Sequence, residues 1–193
     1  ITLADVVEFF RPQIAQYGPP MALGVASFGP LDLDQQSATY GHITHTPKPG
    51  WRHFDLLGQL QQALNCPAML DTDVNAAALA EYRWGAGQQC DPLIYLTVGT
   101  GVGGGVVIQG QPLRGLIHPE MGHLRVTRLP GDDFPGACPF HDDCVEGLCS
   151  GPALRARQDL APEHWPADDP EWQRLSEYLG RFIAQLLLCF SPR

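Results

Sequence analysis

Between His118 and Glu146 the chain reads HPEMGHLRVTRLPGDDFPGACPFHDDCVE, a stretch dense in side chains that can bind metal or polar ligands. His123, Cys138, His141 and Cys144 follow one another in the order of a tetrahedral zinc site, and Glu120 and Glu146 flank them. Structural zinc takes four nitrogen or sulfur ligands, commonly a closely spaced group plus a partner farther along the chain. Cys138, His141 and Cys144 stand three residues apart, and Pro135, Gly136 and Pro139 bend the backbone so that a loop presents them. The fourth ligand must come from outside this knuckle. His123 is assigned, because it opens an alternating run, His123-Leu124-Arg125-Val126, that reads as a strand held against the loop. His118 competes for the place, with Asp142 and Asp143 behind it. A structural zinc contributes about 10–16 kcal/mol in small peptides, against the ~5–15 kcal/mol by which a whole domain is stable. An ion of that weight would fix a loop so rich in Gly, Pro and Asp. Four protein ligands leave no position for a reactive water, so the zinc is read as structural. The alternative is two buried free cysteines near two surface histidines.

A second constellation lies at Asp71-Thr72-Asp73-Val74-Asn75, between a short apolar strand, CPAML (66–70), and AAALAEYRW, a strong helix by propensity. Asp73 is placed at the helix N-terminus and at the carboxyl end of a strand, where ligands bind in open α/β sheets. Asp71 or Asp73 could equally be an N-cap, and one can cap while the other catalyses. Farther on, PLIYLTVGTGVGGGVVIQGQPLRG reads as a buried strand, a Gly-rich turn, a second strand and a Gln-Gly hairpin. Thr100, Gly101, Gly103 and Gly104 in that turn let the backbone approach a ligand and offer N–H and hydroxyl groups to phosphate oxygens. No helix follows, so this is neither a dinucleotide fingerprint nor a Walker loop. A polyphosphate bound by so acidic a protein would need such backbone donors and magnesium.

Other elements must position these groups. A helix is expected over 1–16, interrupted at Pro12, followed by an apolar strand over 21–31 that ends in Phe-Gly-Pro. Residues 32–51 form a polar excursion, and 53–64 an amphipathic helix. EGLCSGPALRARQ is a helix that either kinks or restarts at Pro152, and APEHWPADDPEW is linker-like. The last helix, 171–190, carries Trp172, Leu175, Leu179, Phe182, Ile183, Leu186, Leu187 and Phe190 on one face, as core or as half of a dimer contact. It is too charged to cross a membrane.

Composition excludes several classes. The 193 residues hold 12 basic against 21 acidic side chains, a formal charge of -9, with the basic ones scattered singly, which argues against a nucleic-acid face. Lys48 is the one lysine, so a phosphate loop of the GxxxxGK kind has no candidate. Six cysteines, three of them crowded into 138–149, suit a metal and a reducing compartment better than disulfides; a cytoplasmic location is expected. The opening residues lack a basic start and carry Asp5 and Glu8, unlike a signal peptide. Both ends read as cut.

These residues resemble the ROK family of sugar kinases and sugar-responsive repressors, specifically its bacterial fructokinase branch. SFGPLDL with TYGHITHTPKPGW, DTDVNAAALAE, and TVGTGVGGGVV followed by HPEMGH and CPFHDDCVEG carry the resemblance, in the family's order. It implies an actin-like ATPase fold of the hexokinase and ribonuclease H-like type. Two α/β domains with a cleft are expected in part, as residues 1–88 and 89–193. It implies a catalytic base at Asp73, sugar contacts from Thr72, Glu120, His123 and Glu146, and a second phosphate loop at Thr100, Gly101, Gly103 and Gly104. ATP with Mg2+ and a structural Zn2+ on His123, Cys138, His141 and Cys144 are the implied cofactors. Most members carry a CxCGxxGC knuckle; here His141 replaces a cysteine, as in the fructokinase branch, and Thr72 stands where many members have Asn. The family's DxGGTK loop and its C-terminal adenosine segment do not occur here, and a chain lacking both should bind ATP poorly. The expected reaction is ATP-dependent phosphorylation of D-fructose at its 6-hydroxyl, in a homodimer. A sugar-sensing repressor of the same family is the alternative, and would need a helix-turn-helix segment; a zinc hydrolase would need an open metal position.

Overall fold

The structure, a computed structural model, describes residues 2–158 and 161–193. The chain forms two compact units, Ile1–Ala76 with Arg114–His118, and Ala77–Leu113 with Pro119–Arg193. The division falls within helix α3 (Asp73–Trp84), ahead of the junction drawn after residue 88. Sequence boundaries are drawn in loops, whereas Ala78, Leu79 and Tyr82 of α3 already pack with Leu93 and Val107.

In the first unit α1 runs Leu3–Tyr17 behind a capping box in which Thr2 and Asp5 exchange side-chain and backbone hydrogen bonds. Ile1 lies outside the described residues. Pro12 sits inside the helix without interrupting it. Leu3, Val6, Val7, Phe10 and Ile14 are partly buried against the unit's core on both sides of the proline. That burial, worth up to about 1.5–3 kcal/mol per side chain when complete, offsets the roughly 3 kcal/mol that an interior proline costs.

Strand β1 (Leu23–Ser27) pairs in parallel with β4 (Ala68–Thr72), in register from Leu23↔Ala68 to Ser27↔Thr72. β1 is shorter than expected, since the chain turns out at Gly29-Pro30, and β4 runs two residues past Leu70 because the ladder with β1 continues. The polar excursion is not all loop: β2 (His42–Ile43) pairs antiparallel with β3 (Phe54–Asp55), driven by Ile43, which is fully buried. α2 (Leu56–Leu64) follows, capped by Asp55, whose carboxylate accepts the Gly58 N–H at 2.9 Å. Leu31, Ile43, Leu57, Leu60, Leu64 and Leu70 are among the core residues.

In the second unit β5 (Leu93–Val98), β6 (Val102–Ile108) and β7 (Gln111–Pro112) form an antiparallel meander. Gln109 and Gly110, at φ 51° and 74°, make the two-residue hairpin read from the sequence. α4 (Val145–Cys149) and α5 (Gly151–Arg157) are separate helices, so the segment restarts; Ser150 is extended and its hydroxyl accepts the Ala153 N–H at 3.3 Å. No strand forms at 123–126. Met121–His123 is a 3-10 turn, and Leu124 gives its carbonyl to the Val145 N–H at 2.9 Å, so no ladder partner is required.

α6 (Pro170–Phe190) buries Tyr178, Phe182 and Leu186, one line at i, i+4, i+8. Ile183 and Leu187, expected on the packed face, are 43% and 50% exposed, while Tyr178, outside the expected set, is fully buried. Its hydroxyl explains the burial: it donates to Asp132 Oδ2 at 2.6 Å and accepts the Leu129 N–H at 3.1 Å. Asp132 is also gripped by Arg157, with Nη1 to Oδ1 at 3.0 Å and Nη2 to Oδ2 at 3.1 Å. Burial alone would raise the Asp132 carboxyl, but the Arg157 and Tyr178 hydrogen bonds outweigh it and hold the group far below the ordinary carboxylate range. All six cysteines are free, and among the described residues no helix is long and apolar enough to cross a membrane.

Candidate active site

In the first unit the register Ser27↔Thr72 brings the carboxyl ends of β1 and β4 side by side. Thr72 ends its strand and Asp73 begins α3. The cap belongs to neither aspartate: the buried Thr72 hydroxyl accepts the Asn75 N–H at 3.1 Å. That leaves Asp73 exposed, its Oδ1 accepting the neighbouring Val74 N–H at 2.9 Å. Asp71 does structural work beside it, accepting from the Thr72 N–H at 2.8 Å and from Asn75 Nδ2 at 2.7 Å, and pairing with Arg114. One aspartate thus orients the turn and the other presents a carboxylate to solvent. The Arg114–Asp71 pair was missed in the sequence because 43 residues separate its members and no local pattern marks it.

In the second unit the four proposed ligands converge. One ligand atom from each of His123, Cys138, His141 and Cys144 lies within 4.8 Å of all the others. The His123 Nδ1 stands 3.5 Å from Cys144 Sγ and 3.7 Å from Cys138 Sγ, and His141 Nδ1 is 3.9 Å from Cys138 Sγ. Bonds of about 2.3 Å to sulfur and 2.05 Å to nitrogen at a tetrahedral angle set the S···N distance near 3.6 Å. The donor set therefore fits zinc. His118, the competitor, lies elsewhere, its Nε2 accepting the Leu31 N–H at 3.3 Å in the first unit.

The knuckle's shape is set by its backbone. Cys138 and Asp142 exchange N–H and carbonyl at 3.3 and 3.1 Å, and Asp142 takes φ 49°. Gly136 sits at φ 96°, and a Cβ there would stand 2.1 Å from the Asp142 carbonyl oxygen, so only glycine fits. The Gly147 N–H points at Cys144 Sγ, 3.4 Å away, a donor suited to a thiolate. Burial pushes the Cys144 thiol up to about 11 and pushes His123 toward its neutral form, against the pull of Glu146. A bound cation reverses the thiol's preference, since coordinated thiols are deprotonated outright.

Two residues past Cys144, in the first turn of α4, Glu146 leaves the knuckle and reaches the glycine turn. Its Oε2 accepts the Val102 N–H at 3.0 Å, and a Cβ on Gly101 would stand 2.6 Å from that oxygen. The Gly151 N–H donates to the Gly99 carbonyl at 2.7 Å, pinning the turn's other side. Of the four proposed phosphate-loop residues, Thr100 and Gly101 lie in this turn, while Gly103 and Gly104 lie within β6. Gly104 is buried, and a Cβ there would meet Met121 Sδ at 2.3 Å. Its lack of side chain admits Met121 from the 3-10 turn that carries His123. Glu120, the residue before that turn, is exposed, and its carbonyl accepts the His123 N–H at 3.0 Å.

This chain carries a parallel αβ unit ending in a carboxylate, and a Cys/His knuckle tied to a glycine hairpin. It belongs to the ROK family, whose profile matches residues 1–193. It is 47% identical over 195 residues to the fructokinase of Zymomonas mobilis subsp. mobilis, covering 99% of this chain and 65% of the relative. Among solved structures it matches the ROK hexokinase from Thermus thermophilus at 33% identity and a TM-score of 0.75, over 98% of this chain and 66% of that one. A ROK family glucokinase from Streptomyces griseus, solved with glucose and AMPPNP, matches at 27% identity and a TM-score of 0.73, over 99% of this chain and 70% of that one. The fold is accordingly the actin-like ATPase fold of the hexokinase type, present in part. The chain spans 65% of the length of the curated relative.

Proposed function

We propose that the protein transfers a phosphoryl group from ATP to a hexose, with D-fructose at its 6-hydroxyl as the substrate. The observation that carries this reading is Asp73: an exposed carboxylate at the junction of β4 and α3, relieved of capping by Thr72, in a chain 47% identical to a fructokinase. Asp73 takes the proton of the attacking hydroxyl, a role worth about 10²–10⁴-fold. Most of the barrier falls to positioning, which can supply roughly 7–11 kcal/mol. Thr72 orients the turn that carries Asp73, and Glu120, His123 and Glu146 hydrogen-bond the sugar. Thr100 and Gly101, with Gly103 and Gly104 behind them, offer the hairpin's backbone to the nucleotide's phosphates, and Mg2+ enters with ATP as the metal–nucleotide substrate.

His123, Cys138, His141 and Cys144 would hold zinc, whose contribution is to fix the knuckle and so the bearing of His123 and Glu146. A cytoplasmic homodimer completes the reading.

The test is a coupled assay of ADP formation on the full-length protein with a panel of hexoses, with and without a zinc chelator. Fructose-dependent ADP release that fails on chelation is the expected result. Sugar binding without ADP release would replace the kinase with a sugar sensor of the same family.

A further inference from the structure

Lys48, the one lysine in the chain, sits between Pro47 and Pro49 in the excursion that separates β1 from α2. Its Nζ lies 3.3 Å from the centroid of the Phe28 ring. That ring is held edge-on by Trp51, with centroids 5.7 Å apart at 87°, and Trp51 meets Phe54 in the same manner at 5.1 Å and 72°. The loop is tied down at both ends of the lysine: its N–H donates to Thr46 Oγ1 at 3.3 Å, and its carbonyl accepts the Trp51 N–H at 3.3 Å. The ammonium is therefore seated before any ligand arrives.

The seat lies at a telling place. Phe28 follows Ser27, the last residue of β1, and Asp73 follows Thr72, the last residue of β4; Ser27 and Thr72 are register partners. Lys48 and Asp73 thus share the carboxyl end of the parallel pair. Burial lowers the lysine's pKa, and the Asp73 charge works against that shift. Among the described residues Lys48 makes no ion pair within 4 Å. Stability does not account for the arrangement: an exposed cation–π contact is worth about 0.5–1 kcal/mol, less than the ~1.5–2 kcal/mol of rotamer entropy lost when a lysine is fixed. A cation seated at that cost, without a carboxylate in contact, fits an anionic group that a ligand brings.

We propose that Lys48 is a further residue of the phosphoryl-transfer site, its ammonium binding an oxygen of the transferring phosphoryl group while Asp73 takes the hydroxyl proton. The proposal rests on the kinase reading. The sugar oxygen–phosphorus bond forms as the bond from the γ-phosphorus to the bridging oxygen breaks. The electron pair leaves with ADP, the proton passes to Asp73, and Lys48 keeps its protons throughout and supplies charge alone.

The test uses the full-length protein and compares Lys48→Met, Lys48→Arg and Phe28→Leu with the parent, each checked for an unchanged melting curve. Steady-state kinetics with ATP and fructose is paired with calorimetric titration of fructose and of fructose 6-phosphate. Removing one charge-stabilising donor from a transition state costs about 10²-fold in kcat, and that loss is expected for Lys48→Met with the fructose KM within threefold. Affinity for fructose 6-phosphate should fall about tenfold while that for fructose holds, since the lost charge meets only the phosphoryl group. Lys48→Arg should recover part of both losses, and Phe28→Leu, which removes the seat but not the charge, should fall between.

Equal weakening of fructose and its phosphate would make Lys48 a sugar contact and overturn the proposal. So would an unchanged kcat, or an unchanged affinity for the phosphate. A parent protein that forms no ADP with any hexose sinks the kinase reading itself; an active parent with an indifferent Lys48 sinks only this inference. If another hexose proves to be the substrate, that sugar and its 6-phosphate take the place of the fructose pair.

Discussion

Asp132→Asn tests whether the buried charge cluster holds the second unit together. The Asp132 side chain is 4% exposed and Arg157 is 5% exposed, with paired contacts of 3.0 and 3.1 Å between them and a 2.6 Å bond from Tyr178. Asparagine keeps the shape but removes the charge that Arg157 faces. Breaking a buried pair from one side costs about 3–5 kcal/mol. Glu171 stays 3.4 Å from Arg157 and supplies some compensation, so the lower end, about 3 kcal/mol, is expected. At roughly 2–4 °C per kcal/mol for a chain of this size, the melting temperature should drop by about 6–12 °C.

The pH dependence gives a second readout. A carboxyl whose folded pKa is depressed stabilises the fold above its unfolded value, and that stabilisation is lost as pH falls. With an unfolded value near 3.9, the parent should lose on the order of 1 kcal/mol through this group between pH 6 and pH 3. The variant, having no such group, should not, and the gap between the two should narrow by that amount. Chemical denaturation followed by circular dichroism at several pH values measures both. A melting shift under 2 °C, or a gap that widens on acidification, would refute the assignment.

Asp73→Asn should lower kcat by at least about 10²-fold, the scale of a general base, with fructose affinity by calorimetry within a few-fold; retained turnover would remove Asp73 from that role. Cys144→Ser should reduce bound zinc measured by elemental analysis and lower the melting temperature, whereas full zinc content with an unchanged melting curve would contradict the ligand set. Gly122→Ala places a Cβ 1.8 Å from the Val102 carbonyl oxygen. Because the obstacle is backbone, a cost at or above the usual ~1–3 kcal/mol of overpacking is expected. A variant that melts like the parent would show that the 3-10 turn can move off β6.

What the sequence makes legible is short in range. The Cys138/His141/Cys144 spacing is a three-residue pattern, and it predicted a knuckle that the structure builds from turns. His123 was reached for the wrong reason: it converges with the knuckle through a 3-10 turn locked by Met121 in the space left by Gly104, not at the head of a strand. Glycine signals close approach without saying what approaches, and on the side-chain face of Gly104 the neighbour is a methionine. Pro12 was read as a break because proline's local cost is visible in sequence, whereas the partly buried side chains that offset it are tertiary. Tyr178 and Asp132 stayed hidden for the same reason: both are polar, and only a partner 46 residues away makes their burial favourable.

A solitary lysine also makes this stretch of chain unusual as a chemical object. Amine-directed reagents here find one side chain to modify, and its lowered pKa leaves more of it in the nucleophilic free-base form at a given pH than an ordinary lysine. Reductive methylation with isotope-labelled formaldehyde would thus introduce one dimethyl-lysine resonance from these residues, seated on an aromatic ring whose current shifts it. Ligands that arrive near Phe28 and Asp73 would announce themselves as a displacement of that single line, without any engineered label.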